Sequence, residues 1–556
     1  MQNRPLAIPH IFHRAERHFG HKKVVTGTAA GTVSESTVAD VCAEVRRLAT
    51  VFDDLRIGQG SRVATFCWNT RQHLALYLAA PCTGRVLHTV NVRLFADQIV
   101  FIVNHARDEV VFVDRSLIAV LWPLAEQMPD VRYFVVIDDG SDDEVPDHPG
   151  VLRYEQLLDD SVPYEGAFEI DDENAAAAMC YTSGTTGHPK GVVYSHRSIL
   201  LHSVTALTAD VLGLCERDVV MPIVPMFHVN SWGLPYAALL TGASLVLPGP
   251  NSSPRSLLGL LADHRVTVAA AVPTIWMGAA PLLEEYDLTM LRLVLSGGSA
   301  APKSLLQTYR QALGLPLTQA WGMTETSPLA TVSYIRSHHD DLSAEERIEV
   351  LARQGLPIPL VELRLVDPDT GAEAPWDASS SGEVQAAGPW IASSYYHSAD
   401  HSSSFTDDGW LRTGDVGVCD QYGSLLLVDR TKDLVKSGGE WISSVELENE
   451  IMAHPKVSEA AVIAIRHERW VERPLACVVV KAGESLTVDE IIEHLKPRVA
   501  KWWLPDAVEF IDAVPKTSVG KFSKKTLRSR FEHYRFPGDN QAPNDVGGEC
   551  REPAGT

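Results

Sequence analysis

The sequence predicts an α/β fold with a large N-terminal region and a small α+β C-terminal domain. Short apolar runs bounded by turn residues, typical of buried strands, alternate with segments of helical periodicity. Such alternation favours layers of helices packed on sheets. The 556 residues exceed what one hydrophobic core usually organises, and a hydrophobic content of 45% can fill several cores. Strands are predicted at 110–114, 133–137, 244–248 and 291–296, and helices at 40–53 and 302–313.

The pattern changes twice toward the C-terminus. Around 360–430 short alternating strands with glycine turns replace the α/β pattern. Residues 431–536 are predicted to form the separate C-terminal domain, after an N-terminal region at 1–430. Residues 537–556 are rich in glycine, proline, asparagine and acidic residues, with almost no large apolar residue, which predicts a disordered tail.

Charge and apolar patterning exclude several classes of protein. The chain carries 48 basic and 71 acidic residues, a formal net charge of −23, which repels nucleic acid. Its longest apolar stretches fall short of the ~20 residues that a membrane-spanning helix needs. The N-terminus lacks the apolar core and cleavage site of a secretory signal, so we expect a cytoplasmic protein. The eight cysteines form no C-x-x-C pair, which predicts mostly buried free thiols.

The segment 181–191 carries the strongest chemical signal of the chain. It reads YTSGTTGHPKG and combines four aliphatic hydroxyl side chains, three glycines and one lysine. Glycines let backbone N–H groups approach an anion, while hydroxyl donors and an ammonium group add to its binding. A Walker loop is excluded because Pro189 precedes Lys190 and Gly191 follows it. We predict a polyphosphate-binding loop between two strands, with Thr182, Ser183, Gly184, Thr185, Thr186, Gly187 and Lys190 as its candidate residues.

This segment and five further motifs, taken in order, resemble the adenylate-forming superfamily, which includes acyl-CoA synthetases, firefly luciferase and peptide-synthetase adenylation domains. The resemblance spans nearly the whole chain. It implies a large N-terminal region of α/β layered subdomains, closed by a small β-barrel-like subdomain over about 360–430, and a mobile C-terminal domain. The further motifs are PMFH at 225–228, QAWGMTE at 319–325, TGD at 413–415, DRTKD at 429–433 with KSGGE at 436–440, and PKTSVGK at 515–521.

The resemblance implies two half-reactions at one site. A carboxylate attacks the α-phosphorus of ATP to give an acyl adenylate and pyrophosphate, and a thiol then takes the acyl group. Glu325 and Thr182 match the positions associated with Mg²⁺. Trp321 matches the aromatic residue beside adenine, and Asp415 with Arg430 matches the ribose site. The implied ATP pocket further includes Gly298, Ser299, Gln319, Ala320, Gly322, Met323 and Thr324.

The same resemblance implies roles for residues of the C-terminal domain. Lys521 is expected to balance the charge that builds at the α-phosphate and the attacking carboxylate. Lys432 matches the hinge at which the chain rotates between the two half-reactions. Coenzyme A is the implied thiol substrate, and its site is expected at Lys436, Ser437, Gly438, Gly439 and Glu440.

The segment PMFHVNSWG at 225–233 resembles the branch that acts on medium- and long-chain fatty acids. His228 is expected to orient the carboxylate and Trp232 to gate an acyl tunnel, although ordinary core packing is the alternative interpretation of each. One departure is Val92, where the branch usually carries proline. The remaining acyl-pocket candidates are Val272, Gly297 and Gly322.

Several functions remain open at this stage. An aryl or cinnamoyl-type CoA ligase uses the same residue types, because an alkyl tunnel and a flat apolar slot both need volume and apolar walls. A fatty-acyl-AMP ligase that loads a carrier protein shares every motif, and a luciferase-like oxygenase shares the fold. A non-catalytic nucleotide-binding scaffold is expected to lose Lys521 or Glu325, and this chain retains both. A homodimer is also possible.

Overall fold

The fold is taken from a computed structural model of the chain. It describes residues 1–182, 189–367, 370–398, 404–430, 433–437, 440–467, 470–517 and 521–536. The chain divides into two compact units. The first is Met1–Thr431 together with Lys516–Lys521, and the second is Lys432–Pro515 together with Phe522–Thr556. The domain limits 1–430, 431–536 and 537–556 stay predictions.

The strands are numbered in chain order. They are β1 Lys23–Gly27, β2 Val33–Thr37, β3 Arg62–Phe66, β4 Val86–Thr89, β5 Asp108–Asp114, β6 Tyr133–Ile137, β7 Val151–Arg153, β8 Ala176–Tyr181, β9 Gly191–Ser195, β10 Val219–Pro222, β11 Ser244–Leu247, β12 Val268–Ala271, β13 Leu293–Gly297, β14 Thr318–Gly322, β15 Leu329–Val332, β16 Leu356–Pro357, β17 Glu362–Val366, β18 Gly382–Ala387, β19 Leu411–Cys419, β20 Leu425–Arg430, β21 Val435–Ser437, β22 Glu440–Ile442, β23 Val457–His467, β24 Val471–Val480 and β25 Ala507–Phe510.

The helices follow the same numbering. They are α1 Pro9–His18, α2 Val38–Asp54, α3 Arg71–Cys82, α4 Ala96–Ala106, α5 Ile118–Leu121, α6 Tyr154–Asp160, α7 His196–Ala206, α8 Val229–Trp232, α9 Leu234–Thr241, α10 Pro254–Asp263, α11 Pro273–Ala279, α12 Lys303–Leu313, α13 Ala344–Leu351, α14 Ser444–Met452, α15 Val488–Leu495 and α16 Lys524–Arg530.

Two large sheets organise the first unit, and both are parallel at the centre. One has nine strands in the order β16-β15-β14-β13-β12-β10-β11-β1-β2, and the other has seven in the order β7-β6-β5-β3-β4-β8-β9. In the described parts of these two sheets, antiparallel pairs occur only at the edges: β1 with β2, β14 with β15, β15 with β16, and β8 with β9. The α/β prediction is confirmed. In a parallel sheet the carboxyl ends of neighbouring strands lie at one edge, where ligands usually bind.

The local sequence explains the predicted elements that the structure confirms. Strand β5 is almost wholly buried, as expected for an apolar run inside a parallel sheet. Helix α2 is capped at its N-terminus by Thr37, whose side chain accepts the backbone N–H of Asp40 in a capping box. Its apolar face is buried. The predicted strands at 133–137, 244–248 and 291–296 correspond to β6, β11 and β13, and the predicted helix at 302–313 corresponds to α12.

Smaller sheets complete the two units. The predicted barrel-like subdomain is an open antiparallel sheet in the order β17-β18-β19-β20. The second unit contains β22-β21-β24-β23, with β25 parallel to β24. Helices α14 and α15 pack against this sheet through a cluster that includes Leu447, Ile451 and Leu495. This arrangement is the predicted α+β architecture.

Two composition-based expectations can be compared with the described residues. Cys42, Cys67, Cys82, Cys180, Cys419 and Cys477 are buried free thiols, whereas Cys215 is exposed. Within the described ranges, no helix combines the length and the apolar character that crossing a membrane requires.

Gly249 provides a test of the first unit's packing. It has φ +66°, and a Cβ built on it would lie 2.0 Å from the carbonyl oxygen of Gly27. Gly31 has φ +76° with nothing within 4 Å of its Cβ position, so it is the matched control. We expect Gly249→Ala to lower the free energy of unfolding by about 1–3 kcal/mol more than Gly31→Ala, because only the former adds a backbone clash. Urea titration of both variants measures this difference, and equal losses would contradict it.

Candidate active site

The ends of the predicted phosphate loop lie on adjacent strands, as the sequence predicts. Strand β8 leads into the loop and β9 leads out of it. The backbone N–H of Thr182 donates to the carbonyl oxygen of Lys190 (2.9 Å), and the N–H of Lys190 donates to Thr182 Oγ1 (3.3 Å). The base of the loop is therefore closed. Ser183, Gly184, Thr185, Thr186 and Gly187 lie outside the described residues.

Lys190 and Glu325 meet around a tyrosine. The Lys190 ammonium lies 4.6 Å from the centroid of the Tyr395 ring, and the Tyr395 hydroxyl donates to Glu325 Oε1 (2.5 Å). Glu325 is 5% exposed. Burial raises the pKa of the Glu325 carboxyl, while the hydrogen bond from Tyr395 and the charges of Arg430 and Lys190 oppose that shift. The candidate metal ligand Glu325 and the loop residue Lys190 therefore both contact Tyr395.

A second cluster forms around Asp415, which β19 holds opposite Arg430 of β20. The Trp321 indole N–H donates to Asp415 Oδ2 (2.9 Å), and Arg430 Nε lies 3.1 Å from Asp415 Oδ1. Asp415 and Trp321 are buried, whereas nearly half of the Arg430 side chain is exposed. The nine-stranded and four-stranded sheets therefore meet at a carboxylate that both an indole and a guanidinium contact.

The other candidates of segment 319–325 have structural partners. The Gln319 amide accepts the N–H of Ala301 (2.8 Å) and donates to the carbonyl of Ala352 (2.6 Å), so its side chain is committed to the protein's own backbone. The carbonyl of Thr324 accepts the hydroxyl of Tyr194 (2.8 Å). Ala320 and Gly322 are partly buried on β14, and Met323 follows it. These contacts fix the course of the strand that carries Trp321.

Lys521 lies against Gly298, which follows β13. A Cβ built on Gly298 would lie 2.9 Å from Lys521 Cε and 3.4 Å from Val272 Cγ1, and Gly298 has φ +86°. Only glycine suits this position. Burial lowers the pKa of Lys521 to about 8, and the positive charge of Arg430 adds to that shift, while Asp415 and Glu325 oppose it.

His228 is partly buried. Burial lowers its pKa to about 3, and the charge of Lys521 acts in the same direction. It can therefore orient a carboxylate by a hydrogen bond but not by charge. Ser299 is exposed next to Gly298, and its side chain shows no contact that decides a role.

The position of the Trp232 side chain depends on an unusual backbone conformation. Val229, Asn230, Ser231 and Trp232 have φ of 47°, 48°, 51° and 56°, and Gly233 has φ 71°. Residues 229–233 thus form a left-handed turn, a conformation that costs an L-residue roughly 1–2 kcal/mol. The turn brings Trp232 Cη2 to 3.0 Å from the Cβ position of Gly297. Two acyl-pocket candidates are therefore in contact.

The second unit contains the predicted coenzyme A segment. Strand β21 ends at Ser437, whose hydroxyl accepts Arg473 Nη1 (2.9 Å). Arg473 also donates to Asp506 and to the carbonyl of Trp502, so it anchors this strand end. The N–H of Lys436 donates to Glu472 Oε2 (2.8 Å). Glu440 begins β22, and Lys432, Gly438 and Gly439 lie outside the described residues.

The site has residues that sequence reasoning missed. Tyr395 and Arg473 belong to none of the six motifs. Ser231 lies inside the segment 225–233 but is not among the predicted site residues. The adjacent tyrosines 395 and 396, just after a Gly-Pro-Trp segment, are the one signal that could have drawn attention to Tyr395. The partners of Arg473 lie far away in sequence, and Ser231 bonds to a backbone carbonyl, so neither contact is marked by residue type.

Among the described residues, no group of three His, Cys, Asp or Glu side chains is placed to hold a metal ion. The oxygen donors Glu325 and Thr182 nevertheless suit Mg²⁺, which is commonly held by one or two carboxylates together with substrate phosphates. The site as a whole contains two carboxylates, Asp415 and Glu325, and an indole, Trp321. Its cationic side chains are Lys190, Arg430 and Lys521. It can bind an anionic nucleotide and stabilise negative charge.

Comparison with known proteins agrees with this chemistry. The family model described as AMP-binding enzyme matches residues 11–396, and that of the AMP-binding enzyme C-terminal domain matches residues 446–521. A long-chain-fatty-acid–CoA ligase of Thermus thermophilus is 46% identical over 542 residues, 96% of this chain and 97% of the relative. A medium-chain-fatty-acid–CoA ligase of Ectopseudomonas oleovorans is 41% identical over 536 residues, 96% of this chain and 97% of the relative.

A solved structure shares the fold. The crystal structure of ATP-bound MatB from Rhodopseudomonas palustris superposes with a TM-score of 0.80 at 27% identity. The superposition covers 94% of this chain and 99% of that chain. Family models match more than half of the chain, and relatives well above 30% identity extend over nearly all of it. The chain therefore belongs to the AMP-binding enzyme family.

Proposed function

We propose that this protein is a fatty-acid–CoA ligase. It forms acyl-AMP from ATP and a medium- or long-chain fatty acid and then transfers the acyl group to coenzyme A. The observation that carries the proposal is the geometry of the first unit, where Lys521 packs on Gly298 and Asp415 contacts both Trp321 and Arg430. The charges of Asp415 and Glu325 both act on the pKa of Lys521. The long- and medium-chain relatives, which match almost the full length, support this substrate class.

In the first half-reaction a fatty-acid carboxylate oxygen bonds to the α-phosphorus of ATP while the bond to pyrophosphate breaks. Asp415 can accept the two ribose hydroxyls, because each of its oxygens retains a lone pair beyond its contact with Trp321 or Arg430. The Trp321 indole suits the adenine face. Lys521 balances the negative charge that develops at the phosphate and the carboxylate.

Magnesium fits the oxygen donors of Thr182 and Glu325. When bound, it would neutralise phosphate charge. The protein's own contribution is to keep the Glu325 carboxyl in place through Tyr395. The ammonium of Lys190, held over the same ring, adds a second cation near the phosphate loop.

In the second half-reaction the thiol of coenzyme A attacks the acyl carbonyl and AMP leaves. We place the thiol substrate at the segment 436–440, whose start is anchored by Arg473 through Ser437. Lys432 remains the proposed hinge for the change between half-reactions. The predicted homodimer and cytoplasmic location stay predictions.

The test of the proposed function is AMP release from ATP with and without coenzyme A. The acids are a series of fatty acids from butanoate to palmitate, plus benzoate and cinnamate, and mass spectrometry identifies the product. We expect coenzyme A-dependent release with a maximum among alkyl acids and formation of the thioester. A maximum at benzoate or cinnamate would support the aryl ligase. Adenylate without thioester would support transfer to a carrier protein.

Removal of Lys521 separates the two half-reactions. We expect Lys521→Ala to reduce adenylate formation by at least about 100-fold, because a charge-stabilising group at the reacting atoms is lost. Thioester formation from supplied acyl-AMP should be retained. Pyrophosphate exchange measures the first step and thioester release the second, with the exposed Lys525→Ala as the matched control. Equal losses in both steps would contradict the assigned role.

The lowered pKa of Lys521 predicts a pH dependence. A lysine is a cation only below its pKa, so the charged fraction falls as pH rises through about 8. We expect kcat/KM for adenylate formation to fall by about tenfold per pH unit above that value. Lys521→Arg should lack this decline, because a guanidinium stays charged across the range. A decline shared by the wild type and the Lys521→Arg variant would assign the titration to another group.

A further inference from the structure

The left-handed turn 229–233 is the longest run of positive φ among the described residues. Five consecutive residues have positive φ, and only the last is glycine. Val229 is β-branched, for which a positive φ is a genuine outlier. Strained backbone persists where the surrounding structure over-determines it, and such places cluster at functional sites. The question is which side chains hold the turn and what it positions.

The first anchor is Ser231, which is fully buried. Its hydroxyl donates to the carbonyl oxygen of Val224 (2.7 Å). That carbonyl is itself fixed, because Asn69 Nδ2 also donates to it (2.9 Å) and Asn69 Oδ1 accepts the N–H of Met226 (2.7 Å). The turn is therefore attached to the segment that follows β10. All four residues are almost completely buried, so the bond is shielded from solvent.

The second anchor is Asn230, which is 4% exposed. Its Oδ1 accepts the thiol of Cys180 (3.4 Å), and Cys180 lies on β8 just before the phosphate loop. Asparagine tolerates the left-handed conformation better than most residues. Backbone bonds close the turn, since the N–H of Ser231 donates to His228 (3.0 Å) and that of Gly233 to Asn230 (2.9 Å).

The turn determines where the Trp232 side chain lies. With φ 56° its indole reaches the position that a Cβ of Gly297 would occupy, at 3.0 Å for Cη2 and 3.4 Å for Cζ3. Because the direction of a side chain depends on its backbone dihedral angles, a right-handed turn would direct the indole elsewhere. The place of the indole at the end of β13 thus depends on the left-handed backbone.

We propose that Ser231 and Asn230 are specificity-determining positioning residues. They hold the turn in its left-handed conformation and thereby keep the Trp232 indole on Gly297, where it limits the depth of the acyl pocket. This inference rests on the proposed function, because the pocket is the one assigned to the fatty acid. Neither residue contacts the reacting atoms, and both act through Trp232.

The experiment measures kcat/KM for octanoate and palmitate in the wild type and in Ser231→Ala. We expect the palmitate-to-octanoate ratio to rise by about fivefold, because loss of one buried hydrogen bond frees the indole and deepens the pocket. The matched control is Ser203→Ala. Ser203 is also fully buried and donates to a backbone carbonyl, that of Ile199, at 2.7 Å, but it lies within α7. It should leave the ratio unchanged.

A double-mutant cycle tests whether Ser231 affects the palmitate-to-octanoate ratio through Trp232. Trp232→Ala alone should raise the same ratio, and Ser231→Ala added to it should give no further rise, because its effect passes through the missing indole. Additive effects, or an equal loss of kcat/KM for both acids in Ser231→Ala, would overturn the proposal. An equal loss would indicate a merely structural serine.

A crystal structure of the Ser231→Ala variant tests the inference without activity. We expect the indole to leave Gly297. An unchanged turn and indole would overturn the positioning role even if the enzyme is active. Failure of the wild type to activate any fatty acid would instead contradict the proposed function, and the crystallographic result would still decide whether Ser231 positions Trp232.

Discussion

The candidate site depends on one buried carboxylate. Asp415 accepts the indole N–H of Trp321 and faces Arg430, so a single side chain joins the nine-stranded sheet to the four-stranded sheet. A buried charge without partners is costly, and this one is stable because both of its oxygens are engaged. Its two partners lie on strands, Trp321 on β14 and Arg430 on β20. The side chains proposed to bind adenine and ribose are therefore oriented by their contacts with the Asp415 carboxylate.

The same carboxylate takes part in a wider balance of charge. Burial would favour the neutral forms of both Glu325 and Lys521. At Glu325 the hydrogen bond from Tyr395 and the charges of Arg430 and Lys190 oppose that tendency, and at Lys521 the charges of Asp415 and Glu325 oppose it. Arg430 acts on both groups, favouring ionised Glu325 and neutral Lys521. A lysine adjusted in this way is sensitive to any added negative charge. A bound polyphosphate would favour its cationic form, which is the form that charge stabilisation needs.

Much of the fold and several site contacts could be predicted locally. Apolar runs predicted β6, β11 and β13, because a strand buried on both faces needs a continuous apolar sequence. Motifs predicted that Thr182 and Lys190 frame one loop between two strands. Tyr395 and Arg473 escaped prediction, since each acts through a partner distant in sequence, and neither Glu325 nor Ser437 indicates which residue will contact it.

The sequence by itself determined the α/β architecture, the order of the motifs and the family, because periodicity and short motifs are local properties of the chain. The tertiary structure decided how the motifs meet. Trp321 and Asp415 are 94 residues apart, yet one hydrogen bond connects them. The left-handed turn at 229–233 was likewise invisible in the sequence, since Val229, Ser231 and Trp232 are poor formers of that conformation and buried side-chain contacts help to hold it. Strain of this kind exists only where the rest of the fold compensates for it.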